Sequence, residues 1–258
     1  MRVFPNVKLN LGLRVIRRRP DGYHDIQTLF VPYDGCGDVL DIDRSDSFSI
    51  DISGPCYTGW DPASDLTARA WKMLSEEAGI GPVSIRLVKT SPVGAGLGGG
   101  SADGAFALRA LDALFGLGLG DAALAAYAAR LGSDCPFFIY NRPMLAGGRG
   151  EVLEPFDLDL SSYSIKVVVP EGEHVSTAEA YAGLVPSGIE DLRSVLAMPV
   201  REWRGRLVND FEESVFASHP AIAAAKRKLY EEGAAYASMS GSGSALFGVF
   251  VKSSSGKK

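Results

Sequence analysis

The chain has 258 residues, 46% of them hydrophobic and 22% charged, a globular composition long enough for one large domain or two small ones. Its formal net charge of -5 argues against the broad basic field of a nucleic-acid binder but leaves room for a local pocket that takes a phosphorylated small molecule. Three widely spaced cysteines (Cys36, Cys56, Cys135) without a C-x-x-C, and three scattered histidines (His24, His174, His219), give neither a disulfide framework nor a zinc cluster. The opening MRVFPNVKLN has no apolar signal core, and no apolar run reaches roughly 18 residues. A soluble protein of a reducing cytoplasm is expected, with no nucleic-acid and no membrane partner.

In chain order, Val7, Leu9, Leu11, Leu13 and Val15 alternate with Lys8, Asn10 and Arg14, the period of a half-buried strand. Pro20-Asp21-Gly22 then supplies turn chemistry. Phe48, Ile50 and Ile52 mark another strand, as do Val83, Ile85 and Leu87. Between them a helix is predicted, with Ser64 as its cap, Leu66, Ala70, Met73 and Leu74 as its stripe and Gly79 as its stop. Further helices are expected over 101–115 and from an Asp121 cap to Arg130, with Gly132 as stop. Beyond residue 150 come a strand at IKVVVP, short helices over 176–182 and 208–216, a longer one over 220–232 ending at Gly233, and a last strand at ALFGVFV. The tail SSSGKK is expected to be disordered. Strands and helices mix without a regular βαβ rhythm, so an α+β fold with mainly antiparallel sheets and helices packed on them is expected.

The most informative stretch is KTSPVGAGLGGGSADGAFALRAL, Lys89 to Leu111, with five glycines among the seven residues from Gly94 to Gly100. Glycine amides can approach a ligand closely, and a helix N-terminus behind them favours an anion. Gly94, Gly96 and Gly99 spell G-x-G-x-x-G, but the loop lies far into the chain and FGLGLGD follows its helix where a parallel strand would have to come. A Walker A loop needs lysine where Gly100 stands. A phosphate loop without its own lysine draws its positive charge from elsewhere, with Lys8, Lys89 and Arg17 to Arg19 as candidates.

SPVGAGLGGGSADGA resembles the phosphate loop of the GHMP kinases. NVKLNLGLRV and SMSGSGSALFGVF resemble that family's first and third motifs, in the same order and spanning almost the whole chain. KLNLGLRVIRRRPDGYHDIQTLF, the triple glycine before Ser101 and LGSDCPFF are similar to the branch that acts on CDP-linked methylerythritol in the non-mevalonate route to isoprenoids. The resemblance implies a two-domain α+β fold, with an ATP-binding domain over 1–152, a second domain over 153–258 and a substrate cleft between them. It also implies ATP and Mg2+, a small-molecule substrate, and a monomer or homodimer.

The same resemblance assigns roles. Asp134 is the general base and Lys8 its charge partner. Lys89, Pro92, Val93, Gly94, Ala95, Gly96, Leu97, Gly98, Gly99, Gly100, Ser101 and Ala102 hold ATP. Asn10 is a neighbouring polar contact, Tyr23 stacks on the cytosine, His24 reads its edge and Tyr181 closes it from the other side. Thr177, Gly241 and Ser242, with Gly243, belong to the substrate as well, and the magnesium ligands are not legible. Two positions depart from the pattern: Ala102 and Asp103 stand where this branch often has Ser and Asn. An aspartate near phosphate is repulsive unless it faces away or meets a cation. The rival readings are a GHMP kinase for another alcohol, a non-catalytic nucleotide binder and, on the lone glycine motif, a nicotinamide enzyme.

Overall fold

A computed structural model describes residues 1–182, 184, 186 and 192–252. The expected disordered tail at 253–258 lies outside them. In chain order the elements begin with β1 (Arg2–Val3), β2 (Asn6–Arg18), β3 (His24–Gly37), β4 (Val39–Arg44), β5 (Ser49–Ser53), α1 (Leu66–Ala78) and β6 (Val83–Val88). They continue with α2 (Gly99–Phe115), α3 (Gly120–Leu131), α4 (Cys135–Tyr140), β7 (Met144–Gly147), β8 (Val152–Pro155) and β9 (Tyr163–Val168). The last are α5 (Thr177–Ala182), α6 (Leu192–Leu196), α7 (Phe211–Ser218), α8 (Pro220–Glu231), β10 (Tyr236–Met239) and β11 (Leu246–Val251).

The chain divides into two units. The first comprises residues 1–8, 31–93 and 97–142. Its four strands run in the order β1-β4-β6-β5, with β1, β4 and β6 antiparallel and β5 parallel to β6. The register pairs Leu40 with Leu87 and Ile42 with Ile85, all buried, so one face of this sheet is continuous apolar surface. Helix α2 packs on α1, α3 and α4 and against β4. Its buried Ala102, Ala105, Leu108 and Leu111 supply the apolar stripe.

The second unit comprises 9–30, 94–96 and 143–258. It holds an antiparallel sheet β10-β11-β9, with α8 against β10 and β11. Strands β7 and β8 extend β3, pairing Thr28 with Ala146 and Ala146 with Leu153. The core gathers Leu13, Val15, Ile26, Val175, Ala180, Phe211, Val215, Ile222 and Leu229, with Tyr181 packed at its margin.

Several boundaries moved for identifiable reasons. Asp65, not Ser64, caps α1, its carboxylate accepting the Thr67 N–H at 2.9 Å, because Ser64 is used in a 3-10 turn over Pro62–Ser64. Asp121 is the second residue of α3 and pairs with Arg109 at 2.8 Å instead of capping. Helix α7 starts at Phe211, whose N–H is met by Asn209 Oδ1 at 3.0 Å. The largest change concerns β2: residues 6–15 are buried on both faces, not on one. The polar face is covered because its side chains find partners, among them Lys8 with Asp134 and Arg14 with Asp210 at 3.0 Å.

Candidate active site

In the first unit, β2 carries Lys8 inward with 4% of its surface exposed. Its backbone N–H donates to Leu97 O at 2.9 Å, which ties the strand to the glycine loop. Its Nζ lies 3.6 Å from Asp134 Oδ2. Asp134 stands at the start of α4, yet its side chain caps no N–H of that helix. The carboxylate faces Lys8 and solvent, with 30% of the side chain exposed, and its Oδ1 also accepts from Ser133 Oγ at 3.4 Å. Burial lowers the Lys8 ammonium below the usual lysine range, while Asp134 opposes that fall. The neighbouring thiol is no competitor as a nucleophile, since burial pushes Cys135 up to about 12.

The glycine loop packs first against its own chain. Gly98 has φ +74°, and a Cβ there would meet Lys8 Cγ and Phe138 Cε2 at 3.2 Å. Only glycine lets the lysine stem pass. Gly96, in the second unit, would place a Cβ 2.1 Å from Ser240 O. Gly100 differs: it is exposed, and nothing lies within 4 Å of a Cβ built on it. Gly98, as the cap, has no side chain to offer the first N–H groups of α2, which are the donor set of an anion site.

The predicted ATP contacts separate by burial. Val93, Gly94 and Gly100 are exposed, and Pro92, Gly96, Gly98 and Ser101 are half-buried. Ala95, Leu97, Gly99 and Ala102 are buried and act as packing, so the hydroxyl lost at position 102 would have pointed into the core. Lys89 corrects an expectation outright. Its Nζ is fully buried, 2.6 Å from both Asp38 Oδ2 and Asp103 Oδ2, so its charge is met inside the fold instead of facing a phosphate. Asp103 does meet a cation, and that cation is Lys89.

The second unit assembles the residues expected for a cytidine. His24 and Tyr181 stack face to face, ring centroids 4.3 Å apart and planes 16° apart. Phe211 meets Tyr181 edge-on at 4.7 Å and fixes its plane. Tyr23 is 57% exposed, with the Arg149 guanidinium 4.9 Å from its ring centroid. Of the residues expected around one base, Tyr181 stacks on His24 and Tyr23 faces Arg149. Burial and the charge of Arg18 lower the His24 imidazole, leaving it neutral near pH 7. Thr177 Oγ1 and Ser242 Oγ lie 3.4 Å apart beside Gly241. Asn10 is not displayed: its amide donates to Thr28 Oγ1 at 3.1 Å, and its Oδ1 accepts from Ser240 Oγ at 3.3 Å. Arg17 and Arg19 pair with Asp25 at 2.5 and 2.9 Å, so their charge is met within their own hairpin.

Two family models match in order, the GHMP kinases N terminal domain over 65–142 and the GHMP kinases C terminal over 188–258. A 4-diphosphocytidyl-2-C-methyl-D-erythritol kinase of Azobacteroides pseudotrichonymphae is 46% identical over 98% of this chain and 94% of its own. The chain belongs to the 4-diphosphocytidyl-2-C-methyl-D-erythritol kinase family of the GHMP kinases. Its counterpart in Bacteroides fragilis is 44% identical over 97% of this chain and 92% of its own. A crystal structure of a 4-(cytidine 5'-diphospho)-2C-methyl-D-erythritol kinase superposes with a TM-score of 0.81 at 35% identity, covering 96% of this chain and 90% of that one. Homoserine kinase from Cytophaga hutchinsonii, 20% identical with a TM-score of 0.67 over 96% and 86%, shares the fold. The expected α+β GHMP architecture is therefore the one observed.

Within this GHMP kinase, three further residues shape the candidate site and were missed in the sequence, namely Asp38, Asn209 and Arg149, while Asp103 was noted there only as a departure. Asp38 and Asp103 clasp Lys89. Asn209 Nδ2 donates to Met239 O and Gly241 O, each at 2.8 Å, and pins the third glycine motif. Arg149, in the turn between β7 and β8, covers Tyr23. For Asn209 the only local hint is its capping chemistry ahead of α7; for Asp38 there is none, because its partner lies 51 residues away.

Proposed function

We propose that this chain transfers the γ-phosphate of ATP to the 2-hydroxyl of 4-diphosphocytidyl-2-C-methyl-D-erythritol, a step of the non-mevalonate isoprenoid route in the cytoplasm. The observation that carries the reading is the Lys8–Asp134 pair, 3.6 Å apart, in which the aspartate is part-exposed and spends its oxygens on no cap. Phosphoryl transfer needs positioning and charge stabilisation more than covalent chemistry. Asp134 accepts the proton of the attacking hydroxyl, which requires hydrogen-bond reach between them. Lys8 lies beside that carboxylate and favours the developing alkoxide.

The phosphates lie on the first N–H groups of α2 and the Ser101 hydroxyl. Among the described residues no group of three or more His, Cys, Asp or Glu could hold a metal ion. Magnesium that arrives on nucleotide phosphates keeps several waters and needs only one or two protein ligands, so this sparse donor set fits it. When bound, the ion neutralises charge on the phosphates.

A pyrimidine offers a π-face and a donor–acceptor edge. Tyr23 supplies an exposed ring to stack on, and the stacked His24–Tyr181 pair supplies a flat wall. A neutral imidazole can donate from one nitrogen and accept at the other, which suits the cytosine edge. Thr177, Gly241 and Ser242 take the diphosphate end. A coupled ADP-release assay with ATP and magnesium tests the proposal on four acceptors: the cytidine substrate, mevalonate, homoserine and galactose. Turnover on the cytidine substrate alone is expected. Turnover on another acceptor would discard the cytidine assignment and keep the Lys8–Asp134 chemistry.

A further inference from the structure

The phosphate loop has a buried foundation that its glycines do not reveal. Lys89 follows β6 and lies 2.6 Å from Asp38 Oδ2, 2.6 Å from Asp103 Oδ2 and 3.2 Å from Ser91 Oγ. Asp38 is saturated. Its Oδ1 accepts the N–H groups of Thr90 and Ser91 at 2.6 and 2.8 Å, and its Oδ2 also accepts Ser91 Oγ at 2.5 Å. Asp103 is not: beyond Lys89, its Oδ1 is buried with no hydrogen-bond partner among the described residues. One lysine charge therefore serves two carboxyl groups of unequal standing.

The cluster holds both ends of the loop. On one side it fixes Lys89, Thr90 and Ser91. On the other it fixes α2, since Asp103 sits in the second turn of that helix. A Cβ on Gly99 would lie 2.3 Å from Ser91 Oγ, so the seat of Ser91 decides where α2 can begin. A loop whose two anchors are one hydrogen-bonded cluster loses little entropy when a phosphate settles on it.

Charge decides the state of Asp103. Were both carboxyl groups ionised, the cluster would hold a buried net negative charge at the root of the helix end that receives the phosphates, against the dipole that attracts them. We propose that Asp38, Lys89 and Asp103 are positioning residues of the phosphate loop, with Asp103 held as a neutral carboxylic acid. The proposal rests on the ATP-binding reading above. Burial supports it by driving the Asp103 carboxyl well above the usual carboxylate range, with Lys89 opposing and with Asp38 and the cap residue Asp65 adding to the rise. A neutral acid has the shape and polarity of asparagine, so Asp103→Asn is the conservative control.

The test is carbon-13 NMR of aspartate-labelled protein, combined with calorimetric binding of ATP with magnesium. One carboxyl resonance, missing from Asp103→Asn, should stay at its protonated position from pH 6 to 8, while ordinary aspartates titrate near pH 4. Asp103→Asn should bind ATP within about two-fold of the unaltered protein, and Asp103→Leu about ten-fold more weakly, because Lys89 then loses a buried partner. An Asp103 resonance that titrates near pH 4, or an Asp103→Leu protein that binds ATP normally, would overturn the proposal. Should the leucine variant fail to fold, the resonance and the asparagine variant decide it. Failure of the unaltered protein to bind ATP would sink the kinase reading and the positioning role together; the resonance judges the neutral acid by itself.

Discussion

Two buried lysines of the first unit have opposite fates. Lys8 faces the part-exposed carboxylate of Asp134 at 3.6 Å, and burial pushes it toward its neutral form. Lys89 faces two buried carboxyl groups at 2.6 Å, and although burial works against it, the charge of Asp38 and hydrogen bonds to both groups hold it above the usual lysine range. Both sit where solvent does not reach, so burial alone does not separate a catalytic lysine from a structural one. Partner geometry does. A tight, doubly paired cation has nothing left to give a substrate, whereas a loose pair with an accessible aspartate can rearrange around a hydroxyl and a transferring phosphoryl group.

The largest expected effect breaks the comparison at its catalytic side. Asp134→Asn should lower kcat on the order of 10³-fold, the usual range for losing a general base, while ATP still binds. Near-normal turnover would mean that Lys8–Asp134 is a second structural pair. At the structural side, Lys89→Met leaves Asp38 and Asp103 buried without their cation and should cost roughly 3–5 kcal/mol in urea unfolding. Lys8→Met should leave the fold intact or stabilise it by about 1 kcal/mol while abolishing turnover, since functional charges are commonly held at the expense of stability. Equal destabilisation by the two substitutions would erase the distinction.

A smaller effect concerns substrate recognition. Tyr23→Ala should raise KM for the cytidine substrate about five- to a hundred-fold, the worth of one stacked base, and leave KM for ATP unchanged. A change of similar size for both substrates would remove the stacking assignment.

What the sequence displayed and what it hid follow the same physics. The glycine loop, its helix and the alternation of β2 are local patterns and could be read directly. The alternation suggested that one face of β2 meets water, yet Lys8, Asn10 and Arg14 are buried because partners distant in sequence satisfy them. Bare glycines suggested close approach of a ligand, whereas Gly96 and Gly98 are bare because backbone and a lysine stem crowd them. Lys89 was assigned to ATP by resemblance, as a cation for a loop that lacks its own lysine. Nothing local marks Asp38, 51 residues away, as the group that claims its charge, and Asp103 showed itself only as an awkward residue near a phosphate.

The subtlest expectation is a difference in sign with pH. Lys89 has a raised pKa in the fold, so its contribution to stability is fully present below the unfolded lysine value, about 10.4, and is lost only as pH rises through the higher folded value. Lys8 has a lowered pKa. Between its folded value and about 10.4 the native state has released a proton that the unfolded chain still holds, so its contribution to stability rises with pH in that window. Urea unfolding of the unaltered protein, Lys8→Met and Lys89→Met from pH 8 to 11 isolates the two terms as differences from the unaltered protein. The Lys8 difference should climb toward pH 10 while the Lys89 difference stays flat and then falls. Two differences that fall together would mean that Lys8 is held as tightly as Lys89, and the loose pair with Asp134 would lose its claim to the chemistry.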